Sequence, residues 1–169
     1  MPIARRTALL SGVNLLVGGG LAALAAGFGR AGAATKAPPE HYEFTLTDDQ
    51  WKSRLSPQAY AVLRHEATET PFSSPLNDEH RKGTFTCAGC ALALFSSDTK
   101  FNSGTGWPSF FRPLPNAVAQ RVDTTLGMTR DEVHCRRCGG HLGHVFDDGP
   151  KPTGLRYCMN GVAMAFTAA

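Results

Sequence analysis

The stretch CRRCGGHLGHVF, residues 135–146, joins a Cys-x-x-Cys pair directly to a segment with two histidines. A second pair of the same spacing, CAGC, occupies residues 87–90. Loops of this size let two thiolates bind one tetrahedral metal ion, and a glycine inside or directly after each pair permits the tight turn. The sequence therefore predicts a single structural zinc site that fixes the fold, with four ligands: Cys87, Cys90, Cys135 and Cys138.

These cysteines and histidines also allow two other arrangements. The four thiols are able to form disulfides in an oxidising compartment. His141 and His144 continue the spacing of Cys135 and Cys138 at every third residue, which gives another ligand set. Because four thiolates already complete a tetrahedral site, we expect both histidines to be free for other chemistry.

The chain beyond Gly83 favours short β-strands separated by turn residues. The candidate strands are GTFTC, ALALF, NAVAQRV and TRDEVHC, and no helical period longer than one or two turns accompanies them. Short segments of this kind predict an antiparallel β-sheet.

Two helix-start signals precede the strands. TDDQ at residues 47–50 has the capping-box pattern, in which the threonine accepts from a backbone N–H and the glutamine reaches back to the cap. Ser-Pro at 56–57 is a second start signal, because proline suits the first helical position. We therefore predict two short helices, at roughly 48–55 and 57–66.

The segment from Arg156 to Phe166 predicts a final strand. If its pleat continues unbroken, the even positions share one face and place a cation and an amide beside a thiol. These positions are Arg156, Cys158, Asn160, Val162, Met164 and Phe166. Asn160-Gly161 is also a favoured turn dipeptide, so a break at that point remains open.

Cys158 is the only cysteine outside the two pairs. A buried structural thiol is a common role for a lone cysteine. Arg156 on the same predicted face would lower the thiol pKa, and two histidines, His141 and His144, precede the cysteine closely in the chain. This combination predicts a nucleophile with an acid or base partner.

The first 33 residues have the composition of a bacterial export signal. Arg5-Arg6 precede an uncharged run over 7–29 that is rich in Ala, Leu and Gly, and AGA at 31–33 has the pattern of a cleavage site. Adjacent arginines and a glycine-diluted apolar run are typical of substrates of the twin-arginine export machinery, which predicts a periplasmic protein. An uncleaved membrane anchor is the alternative, because 23 uncharged residues are able to span a bilayer.

The residues that follow the export signal predict a linker and one domain. Residues 34–41 contain two prolines and form the linker, and 42–169 form the domain. The formal net charge of +3 comes entirely from the three arginines of 1–33, since the remaining basic and acidic residues balance. A neutral domain lacks the basic patch that nucleic-acid binding needs, so we expect no nucleic-acid partner.

Several motifs of the domain resemble the B-type methionine-R-sulfoxide reductases, in order and in spacing, across nearly all of 42–167. They are CAGC, FNSGTGWPSFF, CRRCGGHLGHVFDDGP and PTGLRYCMNGVAMAF. The resemblance implies an enzyme that reduces the R epimer of methionine sulfoxide, either free or within proteins. It also implies a mainly β fold of two antiparallel sheets around a small core, with short N-terminal helices and the four-cysteine zinc site.

The resemblance also implies a role for each residue near the lone thiol. Cys158 matches the nucleophile, and His144 is expected to protonate the sulfoxide oxygen while His141 and Asn160 orient the reacting group. The expected substrate-binding residues are an arginine beside the thiol and an aromatic wall for the methyl group: Arg156, Trp107 and Phe110, with Phe111 as an alternative to Phe110.

The chain departs from a common pattern of that family at Thr105, where many members have a resolving cysteine. Because the other cysteines are assigned to zinc, we expect Cys158 to form a sulfenic acid that an external thiol reduces, such as a thioredoxin-like protein. Two rival functions remain open. One is a non-enzymatic zinc-scaffold binding module with an aromatic pocket, and the other is a thiol peroxidase.

Overall fold

The computed structural model describes residues 41–169. The predicted export signal, residues 1–33, lies outside the described residues, and so does nearly all of the predicted linker. Within 41–169, none of the helices has both the length and the apolar character needed to cross a membrane.

Two short helices open the described chain, as predicted. α1 (Asp48–Arg54) begins with a complete capping box, because the Gln50 N–H donates to Thr47 Oγ1 over 3.3 Å and the Thr47 N–H donates to Gln50 Oε1 over 2.9 Å. α2 (Pro57–His65) begins with proline, and its cap Ser56 accepts a hydrogen bond through Oγ. Local capping chemistry therefore determines where both helices start.

Nine strands of the described chain form two antiparallel sheets. The strands are β1 (Gly83–Cys87), β2 (Ala93–Ser96), β3 (Lys100–Phe101), β4 (Ser109–Phe110), β5 (Val118–Asp123), β6 (Arg130–Cys135), β7 (His141–Phe146), β8 (Arg156–Met159) and β9 (Met164–Ala168). The smaller sheet has the order β2-β1-β9, and the larger has the order β3-β4-β8-β7-β6-β5. The mainly β fold with two antiparallel sheets and short N-terminal helices is confirmed.

Aromatic side chains fill the core between the two sheets. Phe110 of β4 stacks on Phe95 of β2 with ring centroids 4.3 Å apart, and meets Phe85 of β1 edge-on at 4.9 Å. Tyr157 of β8 also packs on Phe95. Each of these large rings removes much apolar area from water, and together they hold the smaller sheet on one face of the larger one.

The segment from Arg156 to Phe166 is not one continuous strand, and the alternative of a break at Asn160-Gly161 is the arrangement observed. β8 ends at Met159, a short 3₁₀ turn covers Gly161–Ala163, and β9 continues in the other sheet. The carboxylate of Glu69 accepts the N–H groups of Gly161 and Val162, which stabilises the turn. Asn160 therefore lies beyond the end of the strand that carries Cys158.

Candidate active site and metal centre

The four paired cysteines form one buried cluster. Their sulfur atoms all lie within 4.8 Å of one another, with Cys87 3.7 Å from Cys138 and Cys90 3.5 Å from Cys135. Four thiolates bound to a single tetrahedral ion at about 2.3 Å lie about 3.8 Å apart, so the cluster fits a metal ion. None of the five cysteines forms a disulfide, so the disulfide alternative is wrong.

The cysteine cluster connects the two sheets. Cys87 ends β1 in the smaller sheet, and Cys135 ends β6 in the larger one. Three arginine side chains also fix the loops of the cluster by donating to their backbone carbonyl groups: Arg54 to Gly89, Arg64 to Cys138 and Arg137 to Cys90, over 2.7–3.1 Å. The ion that this site binds would therefore cross-link elements that are distant in the sequence.

The fifth cysteine lies in a row of polar residues across the larger sheet. Cys158 is directly opposite Ser109 of β4 on one side and His144 of β7 on the other. His144 is opposite Glu132 of β6, which is opposite Arg121 of β5. Because directly opposed residues project from the same face, these five side chains share one face, whereas Phe110 and Tyr157 project from the other face into the aromatic core.

Each of the two histidines has a carboxylate partner. His144 Nε2 lies 2.8 Å from Asp123 Oδ2, and His141 Nδ1 lies 2.7 Å from Glu132 Oε1. Burial lowers the pKa of His144, and the hydrogen bond with Asp123 offsets this effect only in part. Hydrogen bonds from Thr125 and His144 hold the pKa of the Asp123 carboxyl far below its usual range. Asp123 is therefore an anion that fixes one nitrogen of the His144 ring.

Sequence reasoning missed these carboxylates. Glu132 is almost fully buried; burial opposes its ionisation, but hydrogen bonds from His141 and Arg121 outweigh burial and lower its pKa. A weak signal was available, since Arg130 and Glu132 alternate along a predicted strand and therefore share a face. Arg130 binds Asp123 of β5 and Glu132 binds His141 of β7, and both pairings depend on strand register, which no local pattern specifies.

A pocket of about 120 Å³ opens beside the thiol. Its lining residues are Thr68, Trp107, Arg130, Gly143, His144, Phe146, Cys158 and Asn160. The strands approach closely at Gly143, where a Cβ atom would lie 2.1 Å from the carbonyl oxygen of Cys158. Four expected site residues thus meet at one pocket, while His141 lies behind it, against Glu132.

Asn160 and Trp107 are held by the same backbone segment. The Asn160 side chain donates to the Leu142 carbonyl over 3.1 Å and accepts from the Glu69 N–H over 2.9 Å. The Trp107 indole N–H donates to the Glu69 carbonyl over 3.2 Å. The amide of Asn160 is thus bound to the backbone on both sides, and Glu69 fixes Asn160 and Trp107 relative to each other.

Hydroxyl groups lie on the other side of the thiol. Thr105 Oγ1 is 3.7 Å from Cys158 Sγ and 2.8 Å from Ser103 Oγ, which in turn lies 2.7 Å from Ser109 Oγ. Thr105, where the chain departs from the common family pattern, is therefore in contact with the Cys158 sulfur atom.

Two expected substrate-binding residues lie outside this pocket. Phe110 does not line the pocket: it follows Ser109 of the site face, projects to the other side and is fully buried in the aromatic core. Arg156 is on the face of Cys158, but its Nε and one terminal nitrogen both donate to the Asp148 carboxylate over 2.8 Å, and this pairing raises the pKa of Arg156. Its guanidinium group lies 4.3 Å from the centre of the Phe146 ring, so it supports a pocket wall.

Comparison with known proteins places this geometry in a family. Residues 55–168 match the SelR domain. The chain belongs to the SelR family. Curated relatives named "Peptide methionine sulfoxide reductase MsrB" are similar along most of their length. The relative from Leptospira interrogans is 50% identical over 127 residues, 75% of this chain and 97% of the relative. The relatives from Agrobacterium fabrum and Bradyrhizobium diazoefficiens are 53% and 56% identical, over 71% and 70% of this chain and 90% and 86% of each relative.

The SelR match contains the whole polar row and all four cysteines of the cluster, but it begins at Leu55 and omits α1. In this SelR protein, α1 supplies buried Trp51 and also Arg54, which donates to the Gly89 carbonyl in the first cysteine loop. The helix before the matched region therefore belongs to the same folded unit as the metal centre.

Proposed function

We propose that Cys158 is the nucleophile with which this protein reduces methionine sulfoxide to methionine. Family membership identifies the chain as a peptide-methionine (R)-S-oxide reductase, an enzyme rather than a non-enzymatic binding module. One observation carries the assignment to Cys158: it is the thiol that lines a pocket beside a histidine, whereas the other four are buried together.

The proposed reaction begins with attack of the Cys158 thiolate on the electrophilic sulfur of the sulfoxide. The sulfoxide oxygen takes up a proton and passes to Cys158, which becomes a sulfenic acid, while the substrate is released as a thioether. Two electrons move from the cysteine sulfur to the substrate sulfur. The reaction therefore needs a thiolate and a proton donor at the same pocket.

We assign the proton donor to His144. This residue is directly opposite Cys158 on the neighbouring strand and lines the same pocket. Its Nε2–H donates to Asp123, so the other ring nitrogen carries a proton only when the ring is an imidazolium. His141 and Glu132 support this ring from behind, at 5.4 Å between the two imidazole centroids.

The substrate side chain fits between aromatic and polar walls. Trp107 and Phe146 supply apolar surface for the methyl group, and Asn160 and Gly143 close the pocket near the thiol. An asymmetric pocket of this kind accepts one arrangement of methyl and oxygen at sulfur, which supports selection of the R epimer.

Regeneration of the enzyme is proposed to need an external thiol. The other four cysteines are held in the metal cluster, and the residue in contact with Cys158 is Thr105. A thiol from a thioredoxin-like protein would condense with the sulfenic acid, releasing water and forming a mixed disulfide. A second thiol of the reductant would then release Cys158.

Zinc is the proposed ion of the cysteine cluster. Four thiolates at tetrahedral spacing with no open ligand position are typical of structural zinc. Elemental analysis of purified protein tests this assignment, and one zinc ion per chain is the expected result.

We also propose that the protein is exported to the periplasm through the twin-arginine machinery. The proposal depends on the charge and composition of residues 1–33 and on the adjacent Arg5 and Arg6. Replacing both arginines by lysine should retain the protein in the cytoplasmic fraction. Unchanged fractionation of that variant would contradict this route.

The test of the function uses separate R and S epimers of a methionine sulfoxide peptide, with dithiothreitol as the reductant. Turnover of the R epimer alone is expected, and Cys158→Ser should lower it at least about a thousandfold, because the nucleophile is lost. Thr86→Ser, a change on the outer sheet surface, serves as the control. Turnover that survives in Cys158→Ser would rule out the assigned nucleophile.

A further inference from the structure

Two more pockets share lining residues with the pocket of Cys158, and the three together are called the groove. One has about 110 Å³, shares Trp107 and includes Phe72. The other has about 270 Å³, includes Leu126, and shares three lining residues with the central pocket: Thr68, Arg130 and His144. In the strand order, Trp107 precedes β4 on one side of β8, whereas His144 belongs to β7 on the other side. The thiol therefore lies at the middle of the groove.

The size of the central pocket limits what it holds. At about 120 Å³ it is well below the roughly 300–1,000 Å³ of sites that enclose a whole small ligand. It therefore accepts one side chain, and the rest of a larger substrate must lie in the two flanking pockets.

One end of the groove presents a fixed aromatic side chain. Phe72 is 74% exposed, and its backbone has a left-handed φ of 63°, which is rare for a bulky residue. Its N–H donates to the Gly106 carbonyl over 2.7 Å, and its ring lies so close to Gly106 that a Cβ there would be 2.9 Å from two ring carbons. The ring is thus held in place next to Trp107 while most of it faces solvent.

The other end presents an exposed aliphatic side chain on a turn whose backbone is held in place. Leu126 is 82% exposed and also has a left-handed φ, of 57°, in the turn between β5 and β6. The Asp123 carboxylate holds this turn by accepting the N–H and the hydroxyl of Thr125 over 2.8 and 2.7 Å. The same carboxylate binds His144, so the turn and the active site share one support. Rare backbone conformations that the surroundings hold in place are concentrated at functional sites.

We propose that Phe72 and Leu126 dock an extended polypeptide substrate whose methionine sulfoxide enters the central pocket. Apolar residues before and after the sulfoxide would contact these two side chains. Exposed apolar side chains on a backbone that is already held in place bury area on binding without the cost of ordering that backbone. This inference rests on the proposed function and assigns to two residues outside the central pocket a preference for the residues that flank the sulfoxide.

Asparagine substitutions test the anchors without disturbing the backbone, because asparagine tolerates the left-handed conformation. The substrates are peptides with leucine or glycine on both sides of the sulfoxide, and free methionine sulfoxide. For the leucine-flanked peptide, Phe72→Asn and Leu126→Asn should each lower kcat/KM about tenfold, as expected for the loss of about 1.4 kcal/mol of apolar contact. The loss should be several times smaller for the glycine-flanked peptide and for the free amino acid.

Val122→Asn is the matched control. Val122 is an exposed residue of β5, on the same hairpin as Leu126, and its side chain projects from the face of β5 that does not carry Asp123. This substitution should leave all three substrates unaffected. An equal loss on every substrate in the anchor variants would overturn the inference, since the residues would then shape the central pocket. A defect confined to reactivation by a thioredoxin-like protein would also overturn it, because the anchors would then dock the reductant.

A binding measurement separates this inference from the proposed function. The fluorescently labelled leucine-flanked sulfoxide peptide is titrated with Cys158→Ser protein, and its anisotropy gives Kd. In this Cys158→Ser background, a second substitution, Phe72→Asn or Leu126→Asn, should raise Kd about tenfold, whereas Val122→Asn should not change Kd. Unchanged Kd in the anchor variants would overturn docking. Anchor-dependent binding without any turnover by the native protein would contradict only the proposed function.

Discussion

The neighbours of Cys158 define its chemistry more closely than its position in the chain does. On one side the Thr105 hydroxyl contacts the sulfur atom, and on the other His144 has a ring nitrogen bound to an anion. Hydroxyl donors are able to stabilise a thiolate and then a sulfenate by hydrogen bonding. The residue-level arrangement therefore supports a sulfenic acid that lasts until an external thiol arrives.

Replacing Thr105 by cysteine should create an internal route for reduction. Thr105 Oγ1 is 3.7 Å from Cys158 Sγ, so a second sulfur at this position lies close enough to form a disulfide after small adjustment. After one turnover without reductant, native protein should react with dimedone at Cys158, and Thr105→Cys should instead lose two free thiols. Thr105→Ser, which keeps the hydroxyl, should label like the native protein; full dimedone labelling of Thr105→Cys would contradict the geometry.

The pH dependence of the chemical step should report on His144. Burial lowers the pKa of this imidazole, and donation of its proton needs the imidazolium, so methionine formation should fall as pH rises through the lowered pKa. Asp123→Asn removes the partner that favours the charged ring. The alkaline decline should then begin at lower pH in single-turnover experiments.

Asp131→Asn is the control for that measurement, because Asp131 is an exposed residue of β6 on the face opposite Glu132. Its pH profile should coincide with that of the native protein. Identical profiles for Asp123→Asn and the native protein would remove His144 from the role of proton donor.

At the scale of elements, the turn between β8 and β9 positions the pocket. The Glu69 carboxylate accepts the N–H groups of Gly161 and Val162 over 2.5 and 2.9 Å, and the Glu69 backbone binds both Trp107 and Asn160. One residue of the loop after α2 thus fixes the strand end, the indole and the amide relative to each other.

Glu69→Gln should weaken this arrangement, because an amide has one acceptor oxygen for two backbone donors and carries no charge. We expect the free energy of unfolding to fall by about 1–3 kcal/mol, together with a raised KM for the sulfoxide. Urea denaturation and steady-state kinetics measure the two effects. Glu43→Gln, at an exposed position before α1, should change neither, and a normal KM in Glu69→Gln would show that the turn does not position the pocket.

The elements that local chemistry specifies were predictable, and those that depend on register were not. Both helices start at their predicted caps, and β1 matches the predicted GTFTC. The inward direction of Phe110 could not be read, because β4 has two residues and shows no alternation. The partnership of Glu132 with His141 also escaped prediction, since the β6–β7 register shifts between Val133 and His134.

At the scale of the whole molecule, the cysteine cluster holds the two sheets together from their ends. Structural zinc contributes about 10–16 kcal/mol of folding free energy in small peptides, comparable to the total stability of about 5–15 kcal/mol for a typical domain. Removing the ion should therefore unfold this protein and abolish activity, although no cysteine of the cluster lines the pocket.

Thermal denaturation with metal analysis checks this expectation. Cys90→Ser protein and chelator-treated native protein should both lack the native melting transition, while Cys158→Ser should keep its ion and its Tm. A folded, active protein without bound metal would contradict the cross-linking role of the cluster.

The alternation of site and core residues along β8 has a consequence for how the gene can vary. Tyr157 and Met159 are buried in the core, and Cys158 between them faces the pocket. Loss or gain of a single codon within this strand would exchange the two faces for every residue beyond it, sending site residues inward and core residues outward. Substitutions on either face leave the other in place, whereas length changes do not. Viable insertions and deletions should therefore be confined to the loops.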